Sequence, residues 1–263
     1  MSGVWLIGCG TMGGAMLRGW IAAGLDPATV TVVDPGLPMV EGVRVVAEMP
    51  EGIPDTVMIA VKPQLLGVIA PGLATRLGGD TLLLSILAGV DTITLRTKFT
   101  APDTIVRVMP NTPAAIGKGV IALFSDSQDG GALARAENLM QPLGLVEWIG
   151  DEALFDAVTA LSGSGPAFLF RFIQSLGAAG EALGLPADQA ARFALATVEG
   201  AALLAAAAIE TPGVLADKVA SAGGSTREGL NVLDEGRALT MLLTKTLAAA
   251  ERRNAEMAAA ARG

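Results

Sequence analysis

Val4-Trp5-Leu6-Ile7-Gly8-Cys9-Gly10-Thr11-Met12-Gly13-Gly14 is the stretch whose reading decides the fold. Four apolar residues run straight into Gly-x-Gly-x-x-Gly. Met12, Met16 and Trp20 then recur at i, i+4 and i+8 on one helix face. Each glycine has its own task in such a strand–turn–helix. Gly8 permits the tight turn, Gly10 lets the backbone approach a pyrophosphate, and Gly13 lets the helix pack close to the strand. The N–H groups at the helix start then face the anion. With 33 glycines in the chain the spacing alone is weak, so the context decides. A second apolar run, Val30-Thr31-Val32-Val33, ends on Asp34. That acid lies about 20 residues past the glycines, where a carboxylate accepts from ribose hydroxyls. The competing explanation is a Gly-rich turn that holds no ligand.

The alternation continues outward. Apolar runs recur at 57–61, 82–86, 105–109 and 120–124, separated by helical segments. Near-continuous apolar strands of this kind predict a parallel sheet covered on both faces. Ligands on such sheets bind beyond the carboxyl ends of the strands. After Asp151 the strand signal fades and alanine, leucine and glutamate dominate. Leu239, Leu242, Leu243, Leu247 and Ala250 mark one face of the last helix. The expected fold class is α/β: a Rossmann-type doubly wound sheet over 1–151, then an all-helical domain over 152–263. The run Ala201 to Ala208 is rich in small residues, so its helix can pack closely. A half this apolar is expected to bury surface on a second copy of the chain.

At 263 residues, 51% hydrophobic and 17% charged, the chain can bury a large core. A net charge of −8 argues against nucleic acid and against an anionic membrane surface as partners. Cys9 is the single cysteine, so no internal disulfide forms, which suits a reducing cytoplasm. We expect neither a targeting segment nor a membrane anchor. The N-terminus lacks a basic leader, and the run 201–209 is too short to span a bilayer. No metal site is expected. Histidine and tyrosine are both absent. A ketone reductase must protonate a developing alkoxide, and this chain has neither of the usual donors.

Four further segments lie where the sheet rule puts chemistry. Ala60-Val61-Lys62-Pro63-Gln64 ends a buried strand, and Pro63 forces a turn that leaves Lys62 at the sheet edge. Ser85-Ile86-Leu87-Ala88-Gly89 leaves room for a flat ring beside its small residues. Arg107-Val108-Met109-Pro110-Asn111-Thr112-Pro113 is a stiff, shaped loop. Ser221-Ala222-Gly223-Gly224-Ser225-Thr226-Arg227-Glu228-Gly229 puts two hydroxyls at a helix start, suited to a carboxylate. Taken singly, an ordinary N-cap with Glu228 closing a capping box explains that last segment equally well.

Together these segments resemble pyrroline-5-carboxylate reductase. The resemblance rests on their order and wording, with Leu-Ser-Gly-Ser-Gly-Pro-Ala-Phe at 161–168 and Gly-Gly-Ser-Thr-x-x-Gly-Leu-x-x-Leu-Asp at 223–234 completing the set. It implies a dinucleotide-binding domain over 1–151 and a helical dimerisation and substrate domain over 152–263. The implied reaction is reduction of 1-pyrroline-5-carboxylate to L-proline with NADH or NADPH, the last step of proline biosynthesis. The implied cofactor residues are Gly8, Cys9, Gly10, Thr11, Met12, Gly13 and Asp34, with Ala60, Val61, Lys62 and Pro63. Ile86, Leu87 and Ala88 fall on the nicotinamide side. The implied substrate site is Gly224, Ser225 and Thr226, with Thr226 meeting the ring nitrogen as the catalytic group. The implied partners are a small cyclic imine carboxylate and a second copy of the chain, as a homodimer or higher oligomer.

Two residues depart from the family pattern. Ala222 stands where proline is usual, and Phe168 where tyrosine is common. Asp34 would repel the 2′-phosphate of NADP, so NADH is favoured. An imine also accounts for the missing acids. A pyrroline nitrogen near neutral pH carries its own proton, so hydride adds to a cation and no alkoxide forms. A hydroxyacid dehydrogenase is the rival enzyme, with Lys62 as its acid. A non-catalytic dinucleotide sensor is the rival of another class.

Overall fold

The computed structural model describes residues 3–262. Its first strand and helix are β1 (Val4–Ile7) and α1 (Thr11–Ala22). The sheet then takes β2 (Val30–Val33), β3 (Arg44–Val46) and β4 (Thr56–Ile59), followed by α2 (Leu66–Ala74). Next come β5 (Leu82–Ser85), α3 (Thr92–Lys98), β6 (Thr104–Met109), β7 (Gly119–Phe124), α4 (Gly130–Met140) and β8 (Gly144–Trp148). The eight strands lie in the order β3-β2-β1-β4-β5-β6-β7-β8. The first six are parallel, whereas β7 is antiparallel to β6 and β8 parallel to β7. The all-parallel expectation therefore holds only as far as β6. The link from Met109 to Gly119 explains the reversal, because a parallel crossover needs roughly a dozen residues or more. β3 and β8 are strands that periodicity did not reveal. β3 has three residues and β8 reads Gly-Leu-Val-Glu-Trp, so neither carries a continuous apolar run.

Side chains alternate across the sheet with the period of two that a strand imposes. Leu6, Met58 and Leu84 enter one core, with Met16 and Trp20 of α1 and Met140 of α4. Trp5, Ile7, Val57 and Leu83 enter the other, with Leu73 of α2 and Leu95 of α3. Met16 and Trp20 are essentially fully buried, as their spacing predicted. Trp20 Nε1 donates to the Leu139 carbonyl at 2.8 Å, so even its polar edge is satisfied.

After β8 the chain is helical: α5 (Phe155–Val158), a π-turn over 159–163, α6 (Gly165–Ala182), α7 (Ala187–Ala207), α8 (Pro212–Val219), α9 (Ser225–Asp234) and α10 (Ala238–Arg262). By contacts the chain forms two compact units. One runs to Ser164 and takes back the chain from Ala250 onward, and the other is Gly165–Ala249. Residues 152–164 and the last turns of α10 thus pack with the sheet, although composition groups them with the helical half. Ala258 is buried, and Asn254 Nδ2 donates to the Asp156 carbonyl at 3.3 Å. In the second unit α6 and α7 pack closely through small residues: a Cβ on Gly177 would lie 3.4 Å from Ala191 Cα. Glu152–Ala182 and Ala187–Ala207 are long and apolar enough to cross a bilayer by length and composition alone. Both are longer than the apolar run 201–209, the stretch that stands out by composition.

Candidate active site

The sheet register builds the site. Ile7 lies level with Val33 on β2 and Ile59 on β4, and Ile59 lies level with Ser85 on β5. The next residue of each chain segment, Gly8, Asp34, Ala60 and Ile86, therefore emerges along one line at the carboxyl edge. Backbone bonds carry the ladder one step further: Gly8 N to Val33 O at 2.9 Å, Ala60 N to Ile7 O at 2.7 Å, and Ile86 N to Ile59 O at 3.0 Å. Four sequence segments between Gly8 and Ile86 thus share one edge.

The Gly-rich turn has the geometry that its spacing requires. Gly8 has φ +93°, and a Cβ there would sit 2.8 Å from the Ala60 carbonyl oxygen. A Cβ on Gly13 would lie 2.5 Å from the Gly8 oxygen, so only glycine lets α1 come this close. Above Gly10 there is open space, with nothing within 4 Å of a built Cβ. Gly10 is also the N-cap of α1, and no side chain caps that first turn. A close backbone, open space and an uncapped helix start fit a pyrophosphate.

Asp34 is tied into this turn. Its Oδ2 accepts from Cys9 N at 2.7 Å and its Oδ1 from Gly36 N at 2.8 Å. The carboxylate is thereby oriented, and its remaining lone pairs can accept hydroxyls. Cys9 contributes its backbone here, while its half-buried side chain packs against the core. Burial, and then the Asp34 charge, push the Cys9 thiol pKa up, with Arg18 opposing.

A mostly apolar cleft of about 920 Å³ opens over this edge. Gly8, Gly10, Thr11, Met12, Asp34, Ala60, Val61, Lys62, Pro63, Ile86 and Ala88 all line it. Three residues expected there do not. Cys9 and Gly13 lie behind the turn, and Leu87 is buried in the core, because alternation after β5 turns it inward. The cleft also takes in Glu48 and Met49 beyond β3, Val68 and Ile69 on α2, and Met109 and Pro110 where β6 ends. Periodicity missed the first pair with β3 itself. The last pair had a signal, since the Met-Pro-Asn-Thr-Pro loop was already noted as stiff.

Asn111 of that loop is buried. Its Oδ1 accepts from Val120 N and its Nδ2 donates to the Ser162 carbonyl, each at 2.9 Å. It thus joins β7 to the π-turn, a structural task. Gly224, Ser225 and Thr226 belong to the second unit and form a separate group. Gly224 is the N-cap of α9, and Ser225 and Thr226 are its first two residues. Neither hydroxyl caps the helix, so the capping-box alternative is not what the chain adopts. Both residues are exposed, after a turn in which Gly223 has φ +70°. Among the described residues no group of three or more His, Cys, Asp or Glu is placed to hold a metal ion.

Comparison with known proteins finds similarity along nearly the whole chain. The family described as pyrroline-5-carboxylate reductase dimerisation matches residues 152–257. A pyrroline-5-carboxylate reductase of Pseudomonas aeruginosa is 35% identical over 96% of this chain and 95% of its own length. One from Arabidopsis thaliana is 36% identical over 95% and 93%. A solved pyrroline-5-carboxylate reductase from Coxiella burnetii superposes with a TM-score of 0.88 at 32% identity, covering 97% of this chain and 98% of that one. One from Plasmodium falciparum, solved with NADP bound, gives 0.86 at 26% identity over the same shares. The similarity to these relatives spans both the sheet and the helical half, and the chain belongs to the pyrroline-5-carboxylate reductase family.

Proposed function

We propose that the chain reduces 1-pyrroline-5-carboxylate to L-proline by hydride transfer from NAD(P)H, the last step of proline biosynthesis. The observation that carries the reading is the single line of Gly8, Asp34, Ala60 and Ile86 at the sheet edge, in a chain 35% identical to a pyrroline-5-carboxylate reductase over nearly its whole length. A nicotinamide dinucleotide bound in the cleft supplies the hydride. Gly8, Gly10 and Thr11 hold the pyrophosphate while Gly13 lets α1 close up behind the turn, Asp34 holds the ribose, Ala60 to Pro63 the next stretch of dinucleotide, and Ile86 and Ala88 the nicotinamide side. Cys9 and Met12 complete the turn through backbone and packing, and Leu87 supports Ile86 and Ala88 from within the core.

Gly224 and Ser225 hold the substrate carboxylate by backbone N–H and hydroxyl. Thr226 hydrogen-bonds the ring nitrogen and orients it without titrating. The imine brings its own proton, so the absence of histidine and tyrosine costs the reaction nothing. What the chain supplies is alignment, which accounts for about 7–11 kcal/mol of barrier lowering at most. The residue assignments rest on motif and geometry. Asp34 favours NADH, because its charge opposes a 2′-phosphate. The partners are the cyclic imine and a second copy of the chain, with 1–151 as the dinucleotide-binding part and 152–263 as the dimerisation and substrate part. The single cysteine suits the cytoplasm.

The test is loss of reduced-nicotinamide absorbance with 1-pyrroline-5-carboxylate, run with NADH and NADPH in parallel. Turnover with either supports imine reduction. A higher kcat/KM with NADPH would overturn the NADH preference alone. Protein that binds a dinucleotide but turns over neither mixture would overturn the substrate.

A further inference from the structure

We propose that Glu152 is a positioning residue for the nicotinamide-side wall of the cleft, acting by tying the turn after β5 to strand β6. The inference rests on reading that cleft as the dinucleotide site. The turn runs from Ile86 to Asp91, between the end of β5 and the start of α3. Ile86 and Ala88 face the cleft. On β6, Arg107 precedes Met109 and Pro110, which face the same cleft. One carboxylate oxygen links Arg107 to Thr92, the first residue of α3, which closes that turn. Glu152 Oε1 accepts from Thr92 N, from Thr92 Oγ1 and from Arg107 Nη1, each at 2.8 Å.

The arginine is itself held in place. Its side chain is 7% exposed, and its guanidinium lies 4.3 Å from the Phe155 ring centroid. Phe155 meets Phe124 edge-on, with centroids 6.3 Å apart. Glu152 sits where the chain leaves β8, in a short turn whose Ala153 N–H is capped by Asp151 Oδ1 at 2.9 Å. Its anchor is therefore a capped turn that leads directly into the buried Phe155. The clamp borders a separate cavity of about 220 Å³, behind the turn, lined by Gly89, Arg107, Phe155 and Ala258 among others. That cavity does not open on the residues that face the dinucleotide, so Glu152 acts only through Thr92 and Arg107. Charge-assisted bonds are the strong ones, and three of them converge on a single atom. Removing the carboxylate frees both ends of the wall, while the polar cavity admits water to the freed donors.

The test compares two ligands that differ at the nicotinamide. Binding of NADH and of ADP-ribose, which lacks the ring, is measured alongside kcat for wild type, Glu152→Ala, Glu152→Gln and Thr92→Val. For Glu152→Ala the expected result is a loss of about tenfold in kcat and in NADH affinity, with ADP-ribose affinity unchanged. Glu152→Gln keeps an acceptor but no ion pair, and should lose about threefold in kcat. Thr92→Val removes one of the three bonds and should fall between wild type and Glu152→Ala. If Glu152→Ala does not fold, the other two variants decide. Unchanged kinetics, or equal weakening of both ligands, overturns the clamp and leaves the cleft reading intact. Wild-type protein that binds neither NADH nor ADP-ribose overturns the cleft reading, and the clamp with it.

Discussion

Asp34 has two tasks that a substitution can separate. Its carboxylate holds the Gly-rich turn through Cys9 N, and on the proposed cofactor reading its charge opposes a 2′-phosphate. Asp34→Asn keeps an oxygen for the Cys9 N–H and removes the charge. The expected outcome is a rise of about tenfold in the ratio of kcat/KM for NADPH over NADH, read from initial rates. Asp34→Ala should instead weaken both cofactors, because the turn loses its tie. Gly13 is less forgiving. A methyl group there meets the Gly8 backbone oxygen at 2.5 Å, which no rotamer change relieves. Gly13→Ala should cost about 1–3 kcal/mol in denaturant unfolding and abolish detectable dinucleotide binding. Cys9 carries a pH signature. Its thiol pKa is raised by burial and then by Asp34, so the native thiol stays protonated where an unfolded one ionises. Alkylation of native protein at mildly alkaline pH should run about tenfold slower than in denaturant. The sign follows from linkage. The thiol's contribution to stability is intact below the unfolded pKa and is lost as pH rises through the higher, folded one. Equal alkylation rates in the two states would remove the burial argument.

The elements show which parts of the fold the sequence could reveal. Strands buried on both faces advertise themselves: Val57 to Ile59 and Leu82 to Leu84 are apolar because both cores claim them. Edge strands need no such run, which is why Arg44–Val46 and Gly144–Trp148 were illegible. The direction of β7 was legible in principle from the short link before it, but apolar content carries no direction. At the site, the glycines and Asp34 were readable because backbone geometry and charge dictate residue type there. Glu152 was not, since a glutamate after a strand has no local signature and its partners lie 45 and 60 residues away. The return of α10 is also a long-range event. Gly89 has φ +74°, and a Cβ on it would lie 2.9 Å from Ala258 Cα, so the turn after β5 and the end of α10 share one tight seat. Gly89→Ala would meet both a positive φ and a backbone clash, at a cost of about 1–3 kcal/mol. We expect a lower Tm and a raised KM for the dinucleotide. A KM that stays at the wild-type value would show that the seat supports the fold but not the site.

At the scale of the molecule, the two compact units differ in how well a single chain can support them. The sheet unit has filled cores on both faces, with Leu6, Met58, Leu84 and Ile105 fully buried. In Gly165–Ala249 the buried residues are small, such as Gly177, Ala190 and Ala194, while Phe170, Leu203 and Leu242 are 60% exposed or more. The leucine face foreseen for the last helix is among the exposed groups: Leu239, Leu242 and Leu243 all lie open. Apolar area of this extent on one helical unit is a protein interface rather than a stable solvated surface. Its position in the stretch matched by the dimerisation family points to a second copy as the covering partner. The folding free energy of this unit is then partly association free energy, and Tm must depend on protein concentration. Light scattering should give a mass that is a multiple of 26.6 kDa at micromolar concentration. A charge on the open face, as in Phe172→Glu or Leu242→Glu, should lower both that mass and Tm, because an unpaired carboxylate cannot be buried cheaply. Dinucleotide binding by the sheet unit should survive these variants, since its cleft is lined by that unit alone. A mass of one chain, with a Tm independent of concentration, would mean that the helices cover their apolar faces in some other way.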